Sequence, residues 1–540
     1  MQRFTAWRRA LTVGAVAVTL LLAGGGGAVT AQPAYEPITG SGSTWSQNAL
    51  DQWVQDVRTR GMTVSYSGIG SSAGRRAFAQ GQNDFGVSEI PYQGTDRGQP
   101  DNSDNRAYAY MPIVAGGTSF MYHLRVGGQL YRGLRLSGET IAKIFTGAIR
   151  NWSDPAITRD NNGRALPSKP IIPIVRGDGS GTTAQFTRWM DIEHRNIWRG
   201  YCRCEELTSY YPVNKGRAPL MTSQTGSDRV AGAVSAAAGD GSITYVEYSF
   251  ATARNFPVAK VLNAGGYYTE PTHFNVAVAL TQAQINNNPR DQDYLTQVLD
   301  RVYRFDDPRT YPLSSYSYAI IPVEGRGDHR ITAGKGRTMS DFMYYFLCQG
   351  QRAMPALGYS PLPANLVRAG FDQVKRIPHA TIQDTDVARC GNPTFDPGDP
   401  TSNKLAREAP MPPACDRVGQ GPCAPGGGGG GGAGGGGGGG NAAGGGGNGG
   451  GGNGGAGGNG NGGGGDGEVQ RDPETGLPIG AEGDTGDGST LAGSATELAA
   501  FRSDGMTTLL GALVGVQLLL VLLVPPFVAR AARRRRDAAE

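Results

Sequence analysis

The stretch Arg176-Gly177-Asp178-Gly179-Ser180-Gly181-Thr182-Thr183 decides the fold. Before it runs Ile171-Ile172-Pro173-Ile174-Val175, a short apolar segment that reads as a buried strand. After it, Phe186, Trp189 and Met190 recur at helical spacing. The chain therefore passes from strand through a glycine-rich turn into a helix whose start carries hydroxyls. Unpaired backbone N–H groups and the positive end of the helix dipole make such a start attractive to an anion. Arg176 adds a permanent charge with planar, forked donors. No Lys-Ser/Thr follows the glycines, so this is not a Walker-type nucleotide loop. A single start of this kind reads most simply as a capped helix.

Two more lie upstream. Gly40-Ser41-Gly42-Ser43-Thr44-Trp45 leads into a helical pattern through Leu50, Trp53, Val54 and Val57. Strand-like Met62-Thr63-Val64-Ser65-Tyr66 is followed by Gly68-Ile69-Gly70-Ser71-Ser72-Ala73-Gly74 and a helix carrying Ala77 and Phe78. Next, Asp84-Phe85-Gly86-Val87-Ser88-Glu89-Ile90-Pro91 reads as a strand that ends in a carboxylate and is stopped by proline. Strands alternating with helices predict an α/β chain with parallel or mixed sheets.

Charge and cysteine bound the function class. The chain has 540 residues and a formal net charge of +4. Three arginines in residues 1–31 and five arginines against Asp537 and Glu540 in residues 530–540 contribute three positive charges each. Two net negative charges are left on everything between. That excludes the basic field of a nucleic-acid binder. Residues 1–31 read as a secretory signal: Arg3, Arg8 and Arg9, an apolar run from Ala10 to Ala23, then Ala-Val-Thr-Ala before Gln32. Arg8-Arg9 faintly echoes a twin-arginine signal, and no cysteine stands at the expected cleavage point to take a lipid. Six cysteines in an exported chain suggest disulfides. Cys348 with Cys390 is the expected bridge in the late folded region, and Cys415 with Cys423 closes a small loop. Cys202-Arg203-Cys204 is left as either a small ring or free thiols, and two thiols without a nearby histidine make a poor metal site.

From Gly426 to Gly465 the chain is almost pure glycine with Asn and Ala, a coil that cannot bury a core. Residues 391–505 are expected to form a disordered linker. Residues 507–528 are apolar apart from Gln517 and long enough to span a bilayer as one transmembrane helix. The basic tail 529–540, with Arg533-Arg534-Arg535-Arg536, places the C-terminus in the cytoplasm by the positive-inside rule.

The ordered set of motifs (Thr44 in its Gly-Ser turn, Gly-Ile-Gly-Ser-Ser-Ala-Gly, Asp-Phe-Gly-Val-Ser-Glu, Arg-Gly-Asp-Gly-Ser-Gly-Thr-Thr) resembles the phosphate-binding protein of bacterial phosphate ABC transporters. The resemblance continues through Leu136-Ser137-Gly138-Glu139-Thr140-Ile141, Ser242-Ile243-Thr244-Tyr245-Val246-Glu247-Tyr248 and Tyr311-Pro312-Leu313-Ser314-Ser315-Tyr316, and covers roughly residues 36–390. It implies a two-lobed α/β fold of the periplasmic-binding-protein type II. Lobe one is expected over about 36–113 plus 256–390, and lobe two over about 114–255.

The resemblance also implies a phosphate site built from Thr44, the Trp45 N–H, Ser71, Arg176, Ser180, Gly181 and Thr182 as donors, with no cofactor and no metal. Glu89 stands where the family usually has aspartate, as acceptor for the proton that phosphate carries at neutral pH. Sulfate has no such proton and would meet only acceptor oxygens. The implied protein is a monomer that hands phosphate to an ABC permease and its ATPase subunits; the C-terminal membrane tether is read from residues 507–528 and lies outside the resemblance. Two other readings stand beside it. One is a cell-surface sensor or adhesion protein reusing the fold. The other is a serine hydrolase, since Gly70-Ser71-Ser72-Ala73-Gly74 fits the nucleophile-elbow pattern and a histidine at 123, 194, 273, 329 or 379 would serve Ser72 as base.

Overall fold

A computed structural model describes residues 34–423, except 205–206, 324–329, 384–385, 397 and 400. The expected signal, the glycine-rich tract, the transmembrane span and the basic tail lie outside the described residues. Among the described residues no helix is long and apolar enough to cross a membrane.

Three parallel strands begin the fold: β1 (Ile38–Gly42), β2 (Val64–Gly68) and β3 (Phe85–Ser88). β1 lies between the other two, with Ile38 opposite Val64 and Gly40 opposite Phe85. Each connection is a helix, as parallel pairing requires. α1 (Gln47–Arg58) buries Ala49, Leu50, Trp53, Val54 and Val57, one stripe at helical spacing. α2 (Ser71–Ala79) starts at Gly70, whose φ of +93° suits glycine and almost nothing else.

β4 (Tyr108–Tyr122) is the spine of the molecule. Its 15 residues make it roughly 50 Å long at the usual strand rise, enough to serve two sheets. From Tyr108 to Gly117 it pairs antiparallel with β9 (Ser314–Pro322), and β9 pairs with β3 on its other side. From Thr118 to Tyr122 it pairs antiparallel with β7 (Ser242–Glu247). β7 lies beside β5 (Ile172–Arg176), and β5 beside β6 (Thr222–Gln224), all parallel. The first lobe therefore has the order β2-β1-β3-β9-β4 and the second β6-β5-β7-β4, the chain crossing inside β4. α3 (Gly181–Glu193) follows β5, and α4 (Gly226–Ser235) follows β6.

Two boundaries differ from those expected. β8 (Val258–Leu262) pairs with Met121 and Phe120 of β4 and with the short strand Arg135–Leu136, so it belongs to the second lobe. The return to the first lobe falls after the hairpin at Tyr268–Thr269 and not near 255. The apolar run of β8 caps the edge of β4, which would otherwise show unpaired backbone groups.

The second difference is the C-terminal segment. Residues 391–423, expected as linker, are folded against the domain. Phe395 and Leu405 are buried, as are the polar Asn392, Thr394 and Asp416. Asn392 donates to the Leu362 carbonyl at 2.9 Å and Thr394 to the Pro361 carbonyl at 3.1 Å. Further along, Lys260 of β8 pairs with Asp416 at 2.6 Å, and Arg135 donates to the Cys415 carbonyl at 3.0 Å. The segment thus straps one lobe to the other. Its prolines and glycines mark an irregular path, and its anchors are side chains from distant parts of the sequence. The disulfides Cys348–Cys390 and Cys415–Cys423 hold its two ends. Cys202 and Cys204, left open by the sequence, are bonded to each other.

Candidate functional site

The helices that follow the parallel strands β2, β5 and β6 begin at the same end of their sheets, so the starts of α2, α3 and α4 and the turn before α1 come together in one cleft between the lobes. Hydrogen bonds close that cleft. Ser72 N–H donates to the Gly179 carbonyl at 3.1 Å, and Gly181 N–H donates to Ser71 Oγ at 3.0 Å. Thr44 Oγ1 lies 2.9 Å from Ser227 Oγ and accepts from Ser227 N–H at 3.1 Å.

Glu89, only 1% exposed, sits at the centre. Its Oε1 accepts from Ser43 Oγ and, at 2.9 Å, from Ser317 Oγ. Its Oε2 accepts from Ser71 Oγ at 2.8 Å. A methyl group added to Gly181 would stand 2.1 Å from Oε2, so the carboxylate lies directly against the start of α3. Burial pushes the Glu89 carboxyl above its ordinary pKa, while the three serine hydroxyls and the Arg176 charge pull it back. The three bonds leave one acceptor direction of the carboxylate open, on Oε2, because each oxygen has two lone-pair sites.

Arg176, 2% exposed, is held from behind. Its Nε donates to Asp178 Oδ1 at 2.8 Å, one Nη donates to Asp178 Oδ2, and Nη1 donates to Ser227 Oγ at 3.2 Å. A guanidinium has five N–H groups, so one on each terminal nitrogen is left for a ligand. Burial works against ionisation of Asp178, but its bonds to Arg176 and the Gly226 N–H hold the carboxyl below its ordinary pKa. At the start of α3, Ser180 Oγ accepts the Thr183 N–H as N-cap. Thr182 Oγ1 is buried with no hydrogen-bond partner among the described residues, the costly state for a hydroxyl.

Residues 27–349 match the family model described as a PBP superfamily domain. The chain is 31% identical over 328 residues to phosphate-binding protein PstS 3 of Mycobacterium leprae, covering 60% of this chain and 82% of that protein. It is 31% identical over 335 residues to phosphate-binding protein PstS 2 of Mycobacterium tuberculosis, with the same coverage of each chain. The chain belongs to the phosphate-binding protein family. Among solved structures, the phosphate-binding protein from Stenotrophomonas maltophilia is similar with a TM-score of 0.47 and 18% identity, over 68% of this chain and 99% of that one.

In this phosphate-binding-protein fold every residue expected at the site is buried in or beside the cleft: Thr44, Trp45, Ser71, Glu89, Arg176, Ser180, Gly181 and Thr182. The Trp45 N–H is occupied, donating to Ser43 Oγ at 3.0 Å. Four neighbours escaped the sequence reading: Ser43, Asp178, Ser227 and Ser317. Ser227 had a visible signal, because Thr225-Gly226-Ser227 repeats the glycine-hydroxyl helix start of the other three. Ser317 had none. It sits mid-strand in β9, and only pairing with β3 brings it to Glu89.

The family is one of transport binding proteins, not of enzymes. Ser72 Oγ donates to Asp96, and no histidine among the described residues hydrogen-bonds to it. His329 lies outside them. In Arg176-Gly177-Asp178 the arginine is buried and ion-paired to the aspartate two residues on, while Gly177 is exposed.

Proposed function

We propose that this chain captures inorganic phosphate between its lobes outside the cytoplasm and delivers it to an ABC permease driven by its ATPase subunits. The observation that carries this reading is Glu89: a buried acceptor with one open direction, set among helix starts and the Arg176 charge. The Thr44, Ser180 and Thr182 hydroxyls and the two spare N–H groups of Arg176 supply donors to three phosphate oxygens, joined by the Trp45 N–H, the Ser71 hydroxyl and the Gly181 N–H once these turn from Ser43, Glu89 and Ser71. Glu89 accepts the proton on the fourth. A fully deprotonated tetrahedral anion meets repulsion there. Calorimetry of the purified full-length protein with phosphate, sulfate and arsenate tests it. Phosphate and arsenate should bind and sulfate should not, while sulfate binding as well as phosphate contradicts the reading.

The protein works as a monomer, tethered by residues 507–528 with its C-terminus in the cytoplasm. The apolar span and the arginines after it support this orientation. Protease added to intact cells should release the binding domain by cutting in the glycine-rich tract. A protected domain with a digested arginine tail would invert the topology.

A further inference from the structure

We propose that Ser227 is a positioning residue that passes the charge of Arg176 to the Thr44 hydroxyl across the closed cleft. The inference rests on the phosphate reading of the site. Ser227 is fully buried and stands at the start of the ten-residue α4. It touches both lobes: Thr44 belongs to the turn after β1, and Arg176 ends β5.

The hydroxyl chemistry fixes a direction. Arg176 Nη1 can only donate, so Ser227 Oγ accepts from it at 3.2 Å. Ser227 N–H can only donate, so Thr44 Oγ1 accepts from it at 3.1 Å. The remaining contact, 2.9 Å between the two hydroxyl oxygens, runs either way by geometry alone. With Ser227 donating to Thr44, the bonds form one chain from guanidinium to Ser227 to Thr44, and the Thr44 proton is left pointing to an anion. With Thr44 donating instead, its proton is used up and the anion loses a donor. An anion in the cleft selects the first arrangement, in which each bond polarises the next and the dipole of α4 adds to the pull on Thr44. The same helix start holds the other side of the countercharge, since Gly226 N–H donates to Asp178 at 3.0 Å. The fourth helix therefore acts on the anion through Thr44 and Arg176 without touching it.

This relay exists only when the lobes are closed, so Ser227 governs release and not encounter. Stopped-flow measurement of phosphate binding to the full-length protein separates the two. In Ser227→Ala the dissociation rate should rise about ten-fold, as expected for losing hydrogen bonds linked to a charged group, with the association rate unchanged. Ser227→Thr, which keeps the hydroxyl, should restore the slow release. Combining Ser227→Ala with Thr44→Val should cost less than the two singly, because one change removes the end of the chain that the other feeds. Dissociation within about two-fold of the unchanged protein, or losses that add in the double variant, overturns the relay while leaving the phosphate site standing. Failure of the unchanged protein to bind phosphate overturns both.

Discussion

The cleft and the C-terminal strap are both built from Gly-, Ser- and Pro-rich sequence, yet they are held by different physics. The cleft uses local units, a strand, a glycine turn and a hydroxyl-bearing helix start, repeated so that backbone donors converge. Among its described residues the strap has little regular structure: the short helix Lys404–Glu408, a single turn at Ala414–Asp416 and isolated bridges such as Arg417 with Tyr267. Many of its contacts are side chains reaching from far along the chain, such as Lys260 to Asp416 and Arg135 to Cys415, beside a backbone bond from the Val418 N–H to the Gly266 carbonyl. A local motif announces itself in sequence. A segment whose order depends on distant partners reads as linker.

If this contrast is right, the two regions separate affinity from stability. Arg176→Ala should give the largest effect, a loss of phosphate affinity of at least ten-fold and up to about a hundred-fold, in line with a charged hydrogen-bond set of roughly 1.5–3 kcal/mol. The fold should survive, because Asp178 keeps the Gly226 N–H. Binding within about three-fold of the original, less than one such bond is worth, would place the anion elsewhere.

In the strap, Asp416→Ala should cost about 1–2 kcal/mol of unfolding free energy, discounted because Lys260 is partly exposed. Denaturant unfolding and calorimetry on the same variant check it. Phosphate affinity should stay within about two-fold. A large affinity loss would join the strap to the cleft and break the comparison.

The legibility of the sequence follows the same line. The α/β alternation, the three helix starts and Glu89 at the end of β3 were readable because each is written within a dozen residues. The fourth start at Gly226-Ser227 was equally local and could have been read. Ser317 and the late return to the first lobe were not readable. One depends on antiparallel pairing across more than two hundred residues, and the other on an open strand edge visible only once β4 is seen to serve both lobes.

The smallest expected effect is on pH. Burial raises the Glu89 pKa above the ordinary 4.5, so the ionised acceptor is present above the raised value and is lost as pH falls through it. The sign follows: a protonated Glu89 carries an O–H that can donate to sulfate. Sulfate exclusion should weaken on acidification, starting above pH 4.5, whereas phosphate binding should change less. Competition titrations at several pH values measure it, and constant exclusion down to that pH would mean that Glu89 does not set the choice.

The most direct test removes the acceptor's charge without changing its shape. In Glu89→Gln an amide can donate as well as accept, so sulfate meets a partner where it met repulsion. Competition of sulfate against bound phosphate in the full-length protein should rise by about ten-fold or more relative to the unchanged chain, the worth of one buried unsatisfied contact. Sulfate exclusion that is the same in Glu89→Gln and in the unchanged protein would contradict the account, because the selecting group would then lie elsewhere.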